Sequence, residues 1–142
     1  MIQIAIVEDE EIYVKQLTEY IRKYQTEKGR SIKVTVFGDG EDITENYSGG
    51  FDIILMDIQM RFMDGMTAAE KIRQMDQKVI IMFITNFVDY AIEAYEVNTY
   101  RYIPKECLKE KLPQAYDALL PGIMEKEERY YIINKRNEVE KL

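Results

Sequence analysis

Phe51-Asp52-Ile53-Ile54-Leu55-Met56-Asp57-Ile58-Gln59 is the stretch whose reading decides the fold. Ile53 to Met56 make an unbroken apolar run closed by a carboxylate, without the alternation of a strand that has one face in water. Such runs suit strands covered by helices on both faces, as in parallel sheets. Asp57 then stands at the carboxyl end of a buried strand. In open α/β sheets ligands bind at that edge, so a carboxylate there is a site candidate.

The sequence on either side repeats the pattern. Upstream, the apolar run 3–7 stops abruptly at Glu8-Asp9-Glu10, and the period becomes helical, with Val14, Leu17, Ile21 and Tyr24 on one face and Gly29 as a C-terminal stop. Ile32, Val34 and Val36 alternate with Lys33 and Thr35, as in a strand nearer a sheet edge. Gly38-Asp39-Gly40 reads as a turn, followed by a short helix over 41–47 closed by Gly49-Gly50. Downstream, Asp64-Gly65 opens a helix to about 75 with Met66, Ala69 and Ile72 inward. A strand over 79–84 stops at Thr85, and a helix over 88–97 places Ala91, Ala94 and Tyr95 on one side. A fifth strand, 100–103, meets Pro104, which cannot donate to a ladder and so marks an edge or an end. Pro113 suits a first helical turn, which predicts a last helix over 113–127, bent at Pro121-Gly122. Five alternations of strand and helix predict right-handed crossovers and a doubly wound α/β fold with a five-stranded parallel sheet.

At 142 residues, 46% hydrophobic and 32% charged, the chain reads as one soluble domain. No apolar run reaches the ~20 residues of a bilayer span, and the first residues carry no signal-peptide pattern, so the expected location is the cytoplasm. The single cysteine, Cys107, has no partner within the chain for a disulfide. A net charge of −7 argues against DNA binding by this chain alone. The absence of histidine excludes histidine bases, histidine metal ligands and a phosphohistidine carrier.

The strand ends, read together, place Glu8 and Asp9, Asp57, Thr85 and Lys105 at one edge. Singly, each has a plain explanation: Glu8 and Asp9 as helix-capping acids, Thr85 as a cap, Asp57 and Lys105 as solvated charges. Their convergence favours a common role. Clustered carboxylates repel unless a cation intervenes, and Mg²⁺ commonly takes one or two carboxylates plus water and a phosphate oxygen. A lysine and a hydroxyl beside it suit an oxyanion, and phosphoryl transfer depends on such neutralisation and alignment. Asp57 is then a candidate nucleophile.

This constellation resembles the receiver domain of bacterial two-component response regulators. The resemblance rests on Glu8-Asp9, Asp57, Met60, Asp64-Gly65, Thr85 and Tyr102-Ile103-Pro104-Lys105, in that order, and covers residues 1 to about 125. Tyr90 to Asn98 resembles the LytTR-type regulators, whose receivers precede a DNA-binding domain made of strands. The resemblance implies a flavodoxin-like sheet of strand order 2-1-3-4-5 and phosphorylation of Asp57 by a sensor histidine kinase. It implies Mg²⁺ held by Glu8, Asp9, Asp57 and the main-chain carbonyl of Gln59, with Lys105 and Thr85 on the phosphoryl oxygens. Tyr102 becomes the switch aromatic beside Thr85, and homodimerisation the response. Asn86, Arg61 and Glu106 depart from the pattern, which usually has a small residue, a proline and a proline at those places.

Three rival functions are disfavoured. A pseudo-receiver, a binding module of the same fold that never becomes phosphorylated, is opposed by the intact acidic pair Glu8-Asp9 with Asp57, Thr85 and Lys105. A phosphohydrolase of the haloacid-dehalogenase type needs a second acid two positions after its nucleophile, where Gln59 stands. A nucleotide-binding flavodoxin-like protein needs a glycine-rich loop after the first strand. Residues 129–134 and 138–142 read as two short strands around Lys135-Arg136-Asn137, so that 1–127 is the expected receiver and 128–142 a linker and the truncated start of a LytTR-type domain. DNA contact is therefore expected only through the missing part.

Overall fold

Strand and helix alternate through the residues that this computed structural model describes, 1–87 and 89–123. β1 (Ile2–Val7), α1 (Glu11–Lys28), β2 (Ile32–Phe37), α2 (Gly40–Glu45), β3 (Ile53–Met56), α3 (Gly65–Met75), β4 (Ile80–Thr85), α4 (Ala91–Glu96) and β5 (Arg101–Pro104) follow in order. A 3-10 turn, Lys105–Cys107, then leads into α5 over 108–123. All pairings are parallel and the strands lie in the order β2-β1-β3-β4-β5, so the expected doubly wound sheet is the fold. The expected strands over 129–134 and 138–142, and the boundary at 127, lie outside the described residues.

Each face of the sheet has its own core. On one, Ile4 and Ile6 of β1, Leu55 of β3 and Ile84 of β4 pack with Leu17, Ile21 and Tyr24 of α1 and Leu112, Tyr116 and Leu120 of α5. On the other, Val7, Met56 and Phe83 meet Ile43 of α2, Ala69 and Ile72 of α3, and Ala94 of α4. β3 is buried along its whole length, as its unbroken apolar run requires. β2 and β5 are the edges, and Pro104 ends β5, where a missing N–H costs nothing to an inner ladder. Gly29 closes α1 at φ 61°, donating to Gln25 O.

Two helices differ from expectation. α4 is six residues long, and its inward stripe is Ala94 with Val97 just beyond, whereas Ala91 and Tyr95 are exposed. So short a helix makes fewer than two turns, and a residue next to Ala94 points about 100° away from the sheet. α5 begins at 108, ahead of Pro113, and continues past Pro121. Leu108, Leu112, Ala115, Tyr116 and Leu120 form one stripe at helical spacing, and burying it outweighs the hydrogen bond that Pro113 cannot make.

Candidate functional site

Register brings the acids together before any side chain is considered. Val7 pairs with Met56, so β1 and β3 end level, and Asp57 N–H donates to Val7 O at 3.0 Å. Glu8 follows on one strand and Asp57 on the other. Glu8, Asp9 and Asp57 each present a carboxylate oxygen within 4.8 Å of the others. Glu8 and Asp57 are buried and Asp9 is exposed. The loop behind Asp57 leaves no space: a Cβ on Gly65 would lie 1.9 Å from Asp57 O, and Gly65 N–H donates to Ile58 O at 2.7 Å. Glycine is required there by close approach.

Lys105 closes the cluster. Its ammonium lies 3.0 Å from Asp57 Oδ2, 3.1 Å from Glu8 Oε2 and 3.3 Å from Glu10 Oε2. The last residue of β5 precedes it, and the 3-10 turn that it opens is pinned by Leu108 N–H on Lys105 O. Glu106 therefore does not prevent Lys105 from reaching Asp57, and the described residues contain no cis peptide bond. Burial acts against the lysine's charge, but Asp57 and then Glu8 outweigh it and raise its pKa above the ordinary value. Burial first, and the Asp57 charge second, push the Glu8 carboxyl up to about 7, against the pull of the Glu10 amide and Lys105. Glu8 Oε1 accepts from Glu10 N–H at 3.0 Å, whereas buried Oε2 has no aligned hydrogen-bond donor. Asp57 Oδ1 accepts from Ile58 N–H at 2.8 Å.

Neither Glu8 nor Asp9 caps α1, whose N-cap is Glu10 with no side-chain cap bond. Gln59 and Asp57 line an open cleft of about 290 Å³ with Asp9, Glu10, Met60, Arg61, Asn86, Phe87 and Lys105. Thr85 is fully buried at the end of β4 and does not line that cleft; its Oγ1 accepts from Phe87 N–H at 3.1 Å. Tyr102 is half-buried, its ring 6.2 Å from Phe83, and its hydroxyl donates to Phe87 O. Thr85 and Tyr102 thus meet on one residue, Phe87, from two strands.

Three participants escaped the sequence reading. Asp39, read as part of a turn, is buried and caps α2 through Glu41 N–H, while Phe62 and Met63 in the loop after Asp57 donate to the same carboxylate at 2.9 Å. Burial disfavours its charge, yet the amides of Phe62, Glu41, Met63 and Arg61 hold its carboxyl below the usual range. An aspartate one residue before a helix is a capping signal, which would have identified the cap though not the second loop. Glu10, the N-cap of α1, and Tyr13, in its first turn, reach Lys105, with the ammonium 3.9 Å from the Tyr13 ring centroid. No local sequence signal reports that contact.

Residues 4–117 match the model of the response regulator receiver domain family. The chain is 32% identical over 104 residues to the transcriptional regulatory protein YpdB of Escherichia coli K12, covering 72% of this chain. It spans half or less of the curated relatives that it matches first, 50% and 41% of their lengths. The response regulatory domain of MrkE from Klebsiella pneumoniae superposes with a TM-score of 0.76 at 27% identity, covering 85% of this chain and 97% of that one. The CheY of Borrelia burgdorferi, solved with CheX, BeF₃ and Mg²⁺, gives 0.70 at 25% identity, covering 84% and 89%.

Proposed function

The chain belongs to the response regulator receiver family, and on that premise we propose that it is a phosphoacceptor switch whose acceptor is Asp57. The observation that carries the reading is the single edge at which the carboxylates of Glu8, Asp9 and Asp57 cluster beside the Lys105 ammonium, with Asp9, Asp57 and Lys105 lining an open cleft. In the proposed step a carboxylate oxygen of Asp57 attacks the phosphorus of a phosphohistidine on a partner kinase. A P–O bond forms, the P–N bond breaks, and the imidazole nitrogen leaves with the electron pair. Lys105 follows the transferred charge, because its ammonium already lies on Asp57 Oδ2. Thr85 supplies the hydroxyl, which must first turn from Phe87 N–H.

The donor set fits a hard divalent cation: three carboxylates within one ion's reach, one of them with a buried oxygen that the Lys105 ammonium neighbours at 3.1 Å without an aligned hydrogen bond. Glu8, Asp9, Asp57 and the Gln59 carbonyl would hold Mg²⁺. When bound, the ion supplies positive charge to the carboxylates and to the phosphoryl oxygens. Gln59 has no proton to give as an acid, so the chain is a switch without turnover hydrolysis.

Relief of the Thr85 and Tyr102 hydroxyls from Phe87 would then free the approach to α4, and a homodimer through the α4–β5–α5 surface is the proposed response. Transcriptional output, suggested by the similarity to the transcriptional regulatory protein YpdB, would need a DNA-binding part of LytTR type, and the setting would be cytoplasmic. No described helix is long and apolar enough to cross a membrane. Intact-mass measurement after incubation with a small phosphodonor and Mg²⁺ tests the reading. A gain of one phosphoryl group, absent in Asp57→Asn and without Mg²⁺, supports it; no gain in the wild type overturns it.

A further inference from the structure

Lys105 is held by two kinds of partner. Asp57 and Glu8 are anions that the proposed reaction reassigns, one to the phosphoryl group and one to the cation, so neither fixes the lysine throughout. Glu10 is half-exposed and its attraction is screened by water. Tyr13 differs. It is half-buried, packs against the core beneath α1 and α5, and turns its ring face to the ammonium at 3.9 Å from the centroid. A ring face attracts a cation through its quadrupole, carries no net charge and engages the ammonium without adding a fourth carboxylate. A carboxylate in that position would compete with the phosphoryl oxygens for Lys105.

We propose that Tyr13 is a positioning residue for Lys105, holding its ammonium over the acceptor carboxylate while the anions around it change partners. The inference rests on the phosphoacceptor reading of Asp57. It deepens that reading by assigning a role to α1, which otherwise contributes only packing. Lys105 needs such a hold because it follows the end of an edge strand and begins a 3-10 turn, so the sheet fixes its main chain on one side only.

The test compares Tyr13→Phe, which keeps the ring, with Tyr13→Leu and Tyr13→Met, which keep an apolar body without one. The first readout is the ε-methylene NMR signal of Lys105 in the unphosphorylated protein, which a ring face moves upfield. The upfield position should persist in Tyr13→Phe and vanish in both aliphatic variants. The second is the rate of phosphorylation by a small phosphodonor at saturating Mg²⁺. A loss of about threefold to thirtyfold is expected in the aliphatic variants, the range of one cation–π contact, with the rate restored to within about twofold by phenylalanine. An unshifted Lys105 signal in the wild type overturns the proposal. So does an unchanged rate in both aliphatic variants, or a Tyr13→Phe protein as slow as they are. Should the wild type accept no phosphoryl group, the functional reading fails while the NMR comparison still decides whether Tyr13 holds the lysine.

Discussion

The carboxyl edge of the sheet has two unlike halves. Around β1, β3 and the loop before α3, charge is buried and held by many partners: Lys105 lies among three carboxylates, and Asp39 accepts amides from the first turn of α2 and from the loop after Asp57. Around β4, α4 and β5, the helix is six residues long, and Ile92 and Tyr95 are 76% and 84% exposed. Its attachment is lopsided. At the far end, the Arg73 guanidinium donates to Val97 O at 2.8 Å, Asn98 O at 2.9 Å and Val79 O at 2.6 Å. At the near end, the approach rests on Phe87, which meets the Thr85 and Tyr102 hydroxyls. The difference separates two requirements. A site that transfers charge needs fixed groups, whereas an element that reports the transfer needs few buried contacts, so that a small free energy moves it.

Breaking the attachment of α4 should have the largest effect on stability. Arg73→Ala strands carbonyls just past the far end of α4 and just before β4 and is expected to cost about 2–3 kcal/mol, since hydrogen bonds from charged donors are the stronger kind. Urea unfolding measures the loss. Hydrogen exchange should show Ala94 and Thr99 losing protection while Ile54 and Leu55 keep theirs relative to the global stability. Equal loss everywhere would erase the distinction between the halves.

Asp39→Asn sharpens the other side, with an expected cost of about 1–2 kcal/mol, because one amide-accepting oxygen remains in place of a charged pair. Its pH dependence has a definite sign. The folded carboxyl titrates below its unfolded value of about 3.9, so its stabilisation is present above that pH and is lost as pH falls through the folded pKa. Denaturation curves of wild type and variant should therefore converge in acid. A constant gap down to the lowest pH would show that Asp39 acts by shape and not by charge.

The half proposed to carry the chemistry was far more legible in the sequence than the half proposed to report it. Ile53–Met56 has to be buried on both faces, which places Asp57, and the other strand ends fall beside it by the parallel order alone. Lys105 was readable for the same reason, although 48 positions separate it from Asp57. Asp39, Glu10 and Tyr13 were not, because their partners are set by tertiary approach; Glu10 and Lys105 are 95 positions apart. In α5 the prolines are local signals that a long apolar stripe overrode. In α4 the helical period named Tyr95 as inward, but a helix so short has little stripe to bury, and the tyrosine faces water.

Tyr102→Phe should have the smallest effect, about 0.5–1.5 kcal/mol, by removing one half-exposed hydroxyl from Phe87 O. Its value lies in where the change falls: faster exchange at Phe87 with phosphoryl uptake at Asp57 unaltered would confirm that the hydroxyl belongs to the reporting half. Slower uptake would place it in the chemical half instead.

The most direct test of the division is amide NMR of wild type and Asp57→Asn before and after addition of a phosphodonor with Mg²⁺, with intact mass measured on the same samples. In the wild type, phosphorylation should move the resonances of Thr85, Phe87, Ala94 and Tyr102 while Ile43, Ala69 and Ile72, on α2 and α3, stay nearly still, and Asp57→Asn should show neither phosphoryl gain nor those shifts. A wild-type protein that carries the phosphoryl group yet keeps its α4 resonances unchanged would contradict the account.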